Sequence, residues 1–304
     1  MRIVVIGSNG QLGTEAVIAF ANRGHDVLGL THRDIELCDE SSLRERILPL
    51  RPEVIVNTAA MHHVENCERD PHLAFAVNAL ACRHLAALSR ELNAKLMHVS
   101  TDYVFDGAQR NPYTENDTPL PLNVYGSSKL AGEHFVRAGT ERHFVLRTSA
   151  IYGCHPCRAK GGLNFVELML KLARERAEVR VVAAEYISPT PASELALQMA
   201  VLAETEHYGL YHATAEGHCS WHQFAAEIFA LSSTKVALRT AGPHEFPAKV
   251  PRPPYSVLEN ANLKRLGLNV FTSWQTGLRN YLVRRSRPVD SVRLPAINAY
   301  SHAS

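Results

Sequence analysis

A glycine-rich turn directly after the first apolar run constrains this chain more than any other feature. The run at residues 3–6 is followed by Gly7, Gly10 and Gly13, and a helical pattern of apolar residues then extends over 12–21. Glycine allows the tight turn, lets the backbone approach a pyrophosphate and lets the helix pack closely on the strand, while the first helical amides face the phosphate charge. The spacing G-x-x-G-x-x-G in this context predicts a dinucleotide-binding strand–helix unit.

Short apolar runs alternate with segments of helical periodicity along the chain. These runs lack the polar alternation of half-exposed strands, which is typical of a parallel sheet covered by helices on both faces. They lie at residues 3–6, 27–30, 54–56, 96–99 and 144–146, with helical patterns at 12–21, 73–92, 164–176 and 192–204. With right-handed crossovers, this order predicts an α/β fold with a Rossmann-type doubly wound parallel sheet.

The same reading divides the chain into three parts. We expect a dinucleotide-binding Rossmann domain over residues 1–150 and a smaller, mainly substrate-binding region over 151–285, some segments of which return to the sheet. Within that region, the proline-rich stretch 243–254 is expected to form an ordered loop, because proline lacks the amide donor that helices and central strands need. The polar, aperiodic residues 286–304 are predicted to form a flexible tail.

Charge and composition limit the class of partner. The 304 residues carry 32 Lys plus Arg against 30 Asp plus Glu, with no basic block before the tail that suits nucleic acid or a membrane surface. The first apolar run is too short for a signal peptide, so we expect a cytoplasmic protein, and the six scattered cysteines are expected to stay reduced. A small, nucleotide-like ligand and a monomer or homodimer fit this balance.

The residues around the predicted turn indicate which dinucleotide is bound. Where NAD-selective proteins usually carry an acid at the end of the second strand, this chain has Thr31, and Arg33 offers a guanidinium to a 2′-phosphate. NADPH is therefore favoured, NADH stays possible, and a solvated loop charge is the alternative reading of Arg33. The remaining candidate cofactor contacts are Asn9, Gln11 and Leu12 in the glycine loop, Glu36 and Leu37 beside adenine, and Ala59 and Ala60 beside a ribose.

Three residues further along have the pattern of a carbonyl reductase. Thr101 follows the fourth predicted strand, and Tyr125 and Lys129 stand at i and i+4, on one side of a helix. Hydride delivery to a ketone builds negative charge on oxygen, which Tyr125 can meet with a proton while Thr101 donates a hydrogen bond. A free tyrosine titrates at about 10, and we expect Lys129 to favour the phenolate and to hold the ribose of the dinucleotide.

These motifs together resemble the extended short-chain dehydrogenase/reductase superfamily and, within it, the dTDP-4-dehydrorhamnose reductase family. The resemblance runs from Met1 to about Arg285. Its specific marks are residues 100–107 (STDYVFDG), Pro112-Tyr113 with Glu115, residues 121–126 (PLNVYG), 129–133 (KLAGE), Arg147-Thr148-Ser149, Tyr152-Gly153, Asn164-Phe165, Pro189-Thr190, 209–212 (GLYH) and Arg252-Pro253.

The resemblance implies a function and roles for single residues. It implies reduction of dTDP-4-dehydro-L-rhamnose to dTDP-L-rhamnose with NADPH or NADH, by a catalytic set of Thr101, Tyr125 and Lys129. It places Asp102, Asn164 and Arg252 on the substrate side. Some members of the family bind magnesium through glutamates; Glu15 and Glu194 fall at two such positions, but no third ligand is evident, so no metal site is predicted.

Two departures from the family pattern leave the particular sugar open. After Arg147-Thr148-Ser149 the family usually has a tryptophan that packs on the sugar, whereas this chain has Ala150. The family's Tyr-Thr-Ala-Val-Asp stretch is replaced here by Met61-His62-His63-Val64-Glu65. Both changes fall near the expected sugar pocket.

Other interpretations of the sequence are a regulatory subunit and an epimerase. The beta subunit of methionine adenosyltransferase also resembles these reductases and acts by binding a partner enzyme, and an epimerase of the superfamily would keep its NAD bound. The stretch Cys154-His155-Pro156-Cys157 imitates a redox or half-zinc motif but has no second ligand pair, so we expect a structural role. Trp221 and Trp274 are expected in the core.

Overall fold

The computed structural model describes residues 1–157, 161–242, 245 and 250–286. The predicted tail beyond Ser286 and most of the stretch 243–249 lie outside the described residues. The strands are β1 (Arg2–Ile6), β2 (Asp26–Leu30), β3 (Val54–Asn57), β4 (Lys95–Thr101), β5 (His143–Thr148), β6 (Ile151–Tyr152), β7 (Glu178–Val181), β8 (Tyr186–Ile187), β9 (Thr190–Pro191), β10 (Gly209–His212), β11 (Cys219–Ser220) and β12 (Ala237–Thr240). 

Helices alternate with these strands through most of the chain. They are α1 (Gln11–Asn22), α2 (Glu40–Ile47), α3 (Val64–Arg69), α4 (Pro71–Phe75), α5 (Ala81–Glu91), α6 (Val124–Gly139), α7 (Phe165–Glu175), α8 (Ala192–Ala203), α9 (Trp221–Leu231), α10 (Ala261–Arg265) and α11 (Trp274–Arg285), with 3₁₀ turns at Leu48–Leu50 and Asp102–Val104. In the described residues, no helix has the length and apolarity needed to cross a bilayer.

Six strands form one parallel sheet in the order β10-β5-β4-β3-β1-β2. The predicted Rossmann-type α/β fold is confirmed. The chain moves outward from β1 to β2 and then returns to the other side of β1 with β3, so the loops after β1 and β3 flank the point where the strand order reverses. In open α/β sheets, ligands bind at the carboxyl edge at such a point.

The strands are buried on both faces, which explains why their sequences do not alternate. Ile3 and Val5 face one apolar layer, where α1 and α8 supply Phe20 and Met199 among others. Val4 and Ile6 face the opposite layer, with residues of α2, α5 and α6 such as Leu85. Burying a large apolar side chain is worth roughly 1.5–3 kcal/mol, so both layers fix the register of the central strands.

The predicted helix over residues 73–92 is longer and less regular than the pattern indicates. It starts at Pro71, because the Asp70 side chain caps it by accepting a hydrogen bond from the Leu73 amide (3.0 Å). Between α4 and α5 the backbone widens into one π-helical turn, Ala76–Leu80. Such turns occur often at functional sites, and this one brings Asn78 against α6, where an added Cβ on Gly132 would lie 2.2 Å from the Asn78 carbonyl oxygen.

The C-terminal part of the chain has an apolar cluster of its own. It contains residues of α7, α9 and α11, and Trp274 is buried there with an edge-to-face contact to Phe224. Trp221 is half-buried and packs on Phe165 with ring centroids 4.5 Å apart. The same part of the chain supplies β10, which pairs with β5 at the edge of the central sheet.

Candidate active site

The glycine loop after β1 has a geometry that only glycine allows at two positions. Gly7 has φ +80°, and its amide donates to the Leu30 carbonyl oxygen (2.9 Å). A Cβ on Gly13 would lie 2.1 Å from the Gly7 carbonyl oxygen, so α1 packs directly on the turn. Gly10 precedes α1 without a side-chain cap, and the first turn of the helix carries no acid. The first amides of α1 are therefore available to an anionic group.

The non-glycine residues of this loop differ in what their side chains contact. The Leu12 side chain is 8% exposed and belongs to the apolar layer under the sheet, so only its amide can serve a ligand. The Gln11 side chain donates to the Ile151 carbonyl oxygen (3.2 Å) and thereby ties the loop to the segment after β5. Asn9 is half-buried at the tip of the turn.

The end of β2 contains an acid that the sequence analysis did not single out. Asp34 Oδ2 accepts from both the amide and the hydroxyl of Thr31 (2.8 Å each), and the Arg33 amide donates to the Thr31 hydroxyl (3.2 Å). The Arg33 side chain is exposed at the tip of this short turn. Within the described part of the chain, the Arg33 guanidinium forms no ion pair. The signal that could have identified Asp34 is a carboxylate three residues after a threonine at a strand end, where it can accept from the threonine amide and hydroxyl.

The other candidate cofactor residues lie on neighbouring loops of the same edge. A Cβ on Gly7 would lie 3.1 Å from the Ala59 amide nitrogen, so the loop after β3 contacts the glycine turn, and Ala60 follows it. Leu37 packs on the layer that includes Leu85, whereas Glu36 is exposed and accepts from the Cys38 amide (3.2 Å).

Thr101 and Tyr125 are brought together by the end of β4 and the start of α6. Thr101 ends β4 and is 5% exposed, and its hydroxyl lies next to the Tyr125 hydroxyl, where it lowers the pKa of that tyrosine. Asn123 caps α6 by accepting from the Gly126 amide (2.9 Å). A Cβ on Gly126 would lie 2.1 Å from the Tyr103 carbonyl oxygen, so this helix start is held directly against the turn after β4.

The environment of Tyr125 acts on its pKa in the direction opposite to the one expected. Burial raises the pKa, the Asp102 charge raises it further, and the hydrogen bond with Thr101 opposes both. The reason is that Lys129 points elsewhere: its Nζ lies 2.7 Å from the Val99 carbonyl oxygen and 3.2 Å from His98 Nε2. Burial lowers the pKa of Lys129, which is 2% exposed.

Behind Lys129 lies a group of buried polar residues that the sequence analysis missed. His98 Nδ1 is 3.3 Å from Asn57 Nδ2, and both ring nitrogens lie 3.7 Å from Cys82 Sγ. Burial, and then the Lys129 charge, lower the pKa of His98 well below its usual value. The available signal was His98 itself, which is the one polar residue within the apolar run 96–99.

Asp102 is buried beside Thr101 rather than open to solvent. Its carboxylate accepts from the hydroxyls of Thr101 (3.1 Å) and Ser149 (2.8 Å), and from Ser256. Burial raises its pKa, while these hydrogen bonds oppose the rise. Ser149 follows β5 and Ser256 follows the proline-rich stretch, so this carboxylate joins three segments at the floor of the site.

Arg252 reaches across the site from the C-terminal part. Its guanidinium donates to Glu65 of α3 (2.5 Å), a residue 187 positions away in the chain, and Glu65 also lies 3.3 Å from His63 Nδ1. Asn123 donates to the Pro251 carbonyl oxygen (2.9 Å), which fixes the segment next to the start of α6. The ion pair therefore spans the two sides of the candidate site, and Arg252 is charged beside Tyr103.

Asn164 forms its hydrogen bonds outside the group of Thr101, Tyr125 and Asp102. Its amide nitrogen donates to the Gly153 carbonyl oxygen (2.9 Å), and its oxygen caps α7 by accepting from the Glu167 amide (3.1 Å). The side chain therefore connects α7 to the segment after β6.

The two glutamates that the resemblance placed at metal positions have protein partners. Glu15 Oε2 accepts from Arg284 (3.1 Å), and His155 lies 3.7 Å from its other oxygen. Glu194 accepts from both the amide and the hydroxyl of Thr272 (3.1 and 2.8 Å). Among the residues that the structure describes, no group of three or more His, Cys, Asp or Glu side chains is arranged to hold a metal ion.

The two cysteines after β6 are both free thiols. Cys157 Sγ lies 3.7 Å from His62 Nε2, and burial raises the pKa of Cys154. Cys157 and His62 thus bring the segment after β6 next to the loop after β3.

A parallel sheet that gathers a glycine-rich turn and a Thr–Tyr pair at one edge, with a buried lysine one helical turn away, defines the extended short-chain dehydrogenase/reductase class. The family model described as "RmlD substrate binding domain" matches residues 1–286. The chain therefore belongs to the dTDP-4-dehydrorhamnose reductase family, and it is an NAD(P)H-dependent oxidoreductase of that type.

Relatives and solved structures agree with this assignment. The chain is 37% identical over 290 residues to a spore coat polysaccharide biosynthesis protein, SpsK, of Bacillus subtilis, covering 95% of this chain and 99% of the relative. It is 34% identical over 297 residues to a dTDP-4-dehydrorhamnose reductase of Salmonella typhimurium, covering 93% and 97%. A dTDP-4-dehydrorhamnose reductase of Bacillus anthracis, solved in complex with NADP, has a TM-score of 0.89 and 35% identity, covering 93% and 99%.

Proposed function

We propose that this protein uses NADPH to reduce the 4-keto group of a nucleotide-linked deoxysugar, with dTDP-4-dehydro-L-rhamnose as substrate and dTDP-L-rhamnose as product. The observation that carries the proposal is that Tyr125, at the start of α6, lies next to Thr101, at the end of β4, on the edge of the sheet where the Gly7 turn lies. The Bacillus anthracis complex with NADP and the activity named for the Salmonella relative support the cofactor and the sugar.

The cofactor residues have separate tasks in this proposal. The amides at the start of α1 hold the pyrophosphate, and Gly7 and Gly13 keep the space for it. Arg33 pairs with the 2′-phosphate, Glu36 and Leu37 flank the adenine, and Ala59 and Ala60 line a ribose. When bound, NADPH supplies the hydride that is transferred to the carbonyl carbon of the sugar.

Tyr125 is the general acid of the proposed reaction. As the carbonyl carbon gains the hydride, the carbonyl oxygen gains the phenolic proton, and the ketone becomes a secondary alcohol. Thr101 donates a hydrogen bond to the same oxygen while charge develops on it. The raised pKa of Tyr125 suits this direction of the reaction, because a proton donor must be protonated at neutral pH. Lys129 holds the ribose hydroxyls and returns a proton to Tyr125.

Arg252 and Asp102 are assigned to the sugar nucleotide. Arg252 has a guanidinium that matches the diphosphate in charge and geometry, and Glu65 occupies it in the structure. In the structure Asp102 accepts from the hydroxyls of Thr101 and Ser149, so the Thr101 hydroxyl turns its one proton from Asp102 to the carbonyl oxygen when the sugar binds. Asn164 supports the sugar pocket through the segment after β6 that it fixes.

The decisive experiment is the consumption of NADPH by the purified protein with dTDP-4-dehydro-L-rhamnose, followed by absorbance and by identification of the sugar product. The expected result is stoichiometric formation of dTDP-L-rhamnose and NADP⁺. Parallel reactions with GDP- and UDP-linked 4-keto sugars test the nucleotide. Reduction of one of those instead would overturn the dTDP assignment and retain the reductase.

Two further outcomes would overturn the reductase itself. A fresh preparation that carries tightly bound NAD and interconverts sugars without net cofactor consumption would make the protein an epimerase. A preparation that binds NADPH, consumes none with any 4-keto sugar and changes the activity of methionine adenosyltransferase would make it a regulatory subunit.

A further inference from the structure

The buried polar residues behind Lys129 form a continuous hydrogen-bonded group that the proposed reaction has not used. Lys129 Nζ lies 3.2 Å from His98 Nε2, and His98 Nδ1 faces Asn57 Nδ2 (3.3 Å) and Cys82 Sγ (3.7 Å). His98, Asn57 and Cys82 are each at most 1% exposed. No solvent can replace a missing partner at this depth, so every N–H in the group needs an acceptor inside the protein.

The protons in this group have only two consistent arrangements. A neutral imidazole carries one N–H, and a charged Lys129 can only donate, so a charged Lys129 requires His98 to accept at Nε2 and to carry its proton on Nδ1. That Nδ1–H then faces Cys82 Sγ, whose own S–H donates to the Asn78 carbonyl oxygen (3.2 Å). If Lys129 is neutral, its amine can also accept, so Nε2 can carry the proton while Nδ1 accepts from the Asn57 amide.

Asn57 itself has a fixed orientation. Its Oδ1 accepts from the Ala59 amide (3.1 Å), so its Nδ2 must be the atom that faces His98. The Asn57 donor therefore pairs with the ring only when Nδ1 is unprotonated, and when Nδ1 carries the proton the Asn57 amide donates to Cys82 Sγ instead (3.9 Å). A charged Lys129 therefore excludes the Nε2–H tautomer of His98.

We propose that His98 is a positioning residue for Lys129: its neutral ring, with the proton on Nδ1, accepts from the ammonium at Nε2 and fixes where Nζ lies. Together with the Val99 carbonyl oxygen, this acceptor uses two of the three ammonium protons and leaves the third directed to the ribose of the cofactor. This step rests on the proposed function only for the ribose contact.

The titratable side chains around Lys129 are consistent with a single positive charge among the buried residues, carried by the lysine. Cys82 of α5 and Cys67 of α3 both face it, and burial raises the pKa of each thiol to about 11, so both stay protonated at neutral pH. Glu133 faces it from α6, but its carboxylate is held by Arg147 of β5 (2.7 Å) and by Ser100. A positive charge on His98 would lie 3.2 Å from the Lys129 ammonium, and the two like charges would repel each other.

The test that needs no substrate is the tautomer of His98 in ¹⁵N-histidine-labelled protein, read from two-bond ring correlations and assigned by loss of the signal in His98→Gln. The expected result is the Nδ1–H tautomer in the unmutated protein. In Lys129→Met, Nδ1 becomes free to accept from Asn57, so the signal should change to the Nε2–H tautomer. The Nε2–H form in both proteins would overturn the proposal.

A matched pair of variants tests the consequence for the enzyme. His98→Gln can place a carbonyl oxygen near the position of Nε2, whereas His98→Leu removes the acceptor. We expect His98→Leu to lower kcat about tenfold and to weaken NADPH binding severalfold, with the alkaline limb of the pH profile moved to lower pH, because the ammonium loses an acceptor. His98→Gln should restore all three within about threefold.

Two outcomes of this comparison would contradict the positioning role. Unchanged NADPH affinity and pH profile in His98→Leu would show that Val99 alone holds the lysine. Equal damage in both variants, with both folded by circular dichroism, would show that only packing matters. If His98→Leu does not fold, the tautomer in Lys129→Met and the kinetics of His98→Gln decide. Because the tautomer needs no sugar, a failed reductase assay leaves that result intact.

Discussion

The proposed cofactor side and substrate side of the candidate site differ in what forms their surface: backbone atoms on one side and side chains on the other. On the proposed cofactor side, the surface is formed by the backbone: Gly7 and Gly13 are required by φ and by close approach, and the amides of α1 are the proposed donors. On the proposed substrate side, side chains from distant segments form the surface, as in the ion pair of Arg252 with Glu65. A surface made of backbone amides does not depend on the identity of side chains, whereas a side-chain surface can be changed residue by residue.

Tyr125 lies where the two sides meet, and its removal should have the largest effect. Tyr125→Phe keeps the ring and loses the proton, so kcat should fall by about 10² to 10⁴ while the NADPH dissociation constant changes little. Lys129→Met should impair both, because the ammonium is assigned to the ribose of the cofactor and, through the ribose, to the return of a proton to Tyr125. Steady-state kinetics and fluorescence titration of NADPH separate the two parameters.

The pH dependence of the unmutated enzyme checks the same assignment. Burial raises the pKa of Tyr125 above the usual tyrosine value of about 10, so the phenol stays protonated at neutral pH and reduction should not decline there through its ionisation. A Tyr125→Phe enzyme with the unmutated rate would remove Tyr125 from the chemistry.

The next largest effect should come from the backbone side. Gly13→Ala places a Cβ 2.1 Å from the Gly7 carbonyl oxygen, so α1 must move away from the turn that presents its amides. We expect roughly a hundredfold weaker NADPH binding together with a lower thermal unfolding midpoint, since both depend on that contact. Gly10→Ala is the matched control, because its nearest contact is 3.2 Å and a small shift relieves it. Equal affinities of the two variants would argue against a backbone-built site.

The difference between the two sides also explains what the sequence could predict. Gly7 to Gly13, and Tyr125 with Lys129, are local patterns whose spacing carries the geometry, so they were recognisable without a structure. His98 was missed because one polar residue within an apolar run has no spacing pattern to mark it. The pairing of Arg252 with Glu65 was missed because it joins residues 187 positions apart, which only the folded chain brings together.

We expect the choice between NADPH and NADH to depend on Arg33, at the edge of the proposed cofactor side. Removing the Arg33 side chain should have a smaller effect on NADPH binding than Gly13→Ala. Arg33→Ala should weaken NADPH about tenfold and spare NADH, because only the 2′-phosphate needs the guanidinium. Titrating both cofactors against the variant and the unmutated protein measures this. Asp34→Asn is the control, since its carboxylate is bound to Thr31 and not to Arg33. Equal loss of both cofactors in Arg33→Ala would contradict the assignment.

The smallest effect, and the sharpest test of the side-chain surface, should come from Glu65. If Arg252 binds the diphosphate of the sugar nucleotide, Glu65 competes with the substrate for the same guanidinium, because one carboxylate holds it at 2.5 Å in the structure. Glu65→Gln keeps the size of the side chain and removes the charge, so KM for the sugar nucleotide should fall about threefold with kcat unchanged. Arg252→Ala should change KM in the opposite direction. The two substitutions should therefore change KM in opposite directions at one contact, which a general loss of packing cannot produce.

A higher KM in Glu65→Gln, with NADPH binding intact, would show that Glu65 supports the site instead of competing with the substrate for Arg252. Arg252 would then be a structural link between the two sides.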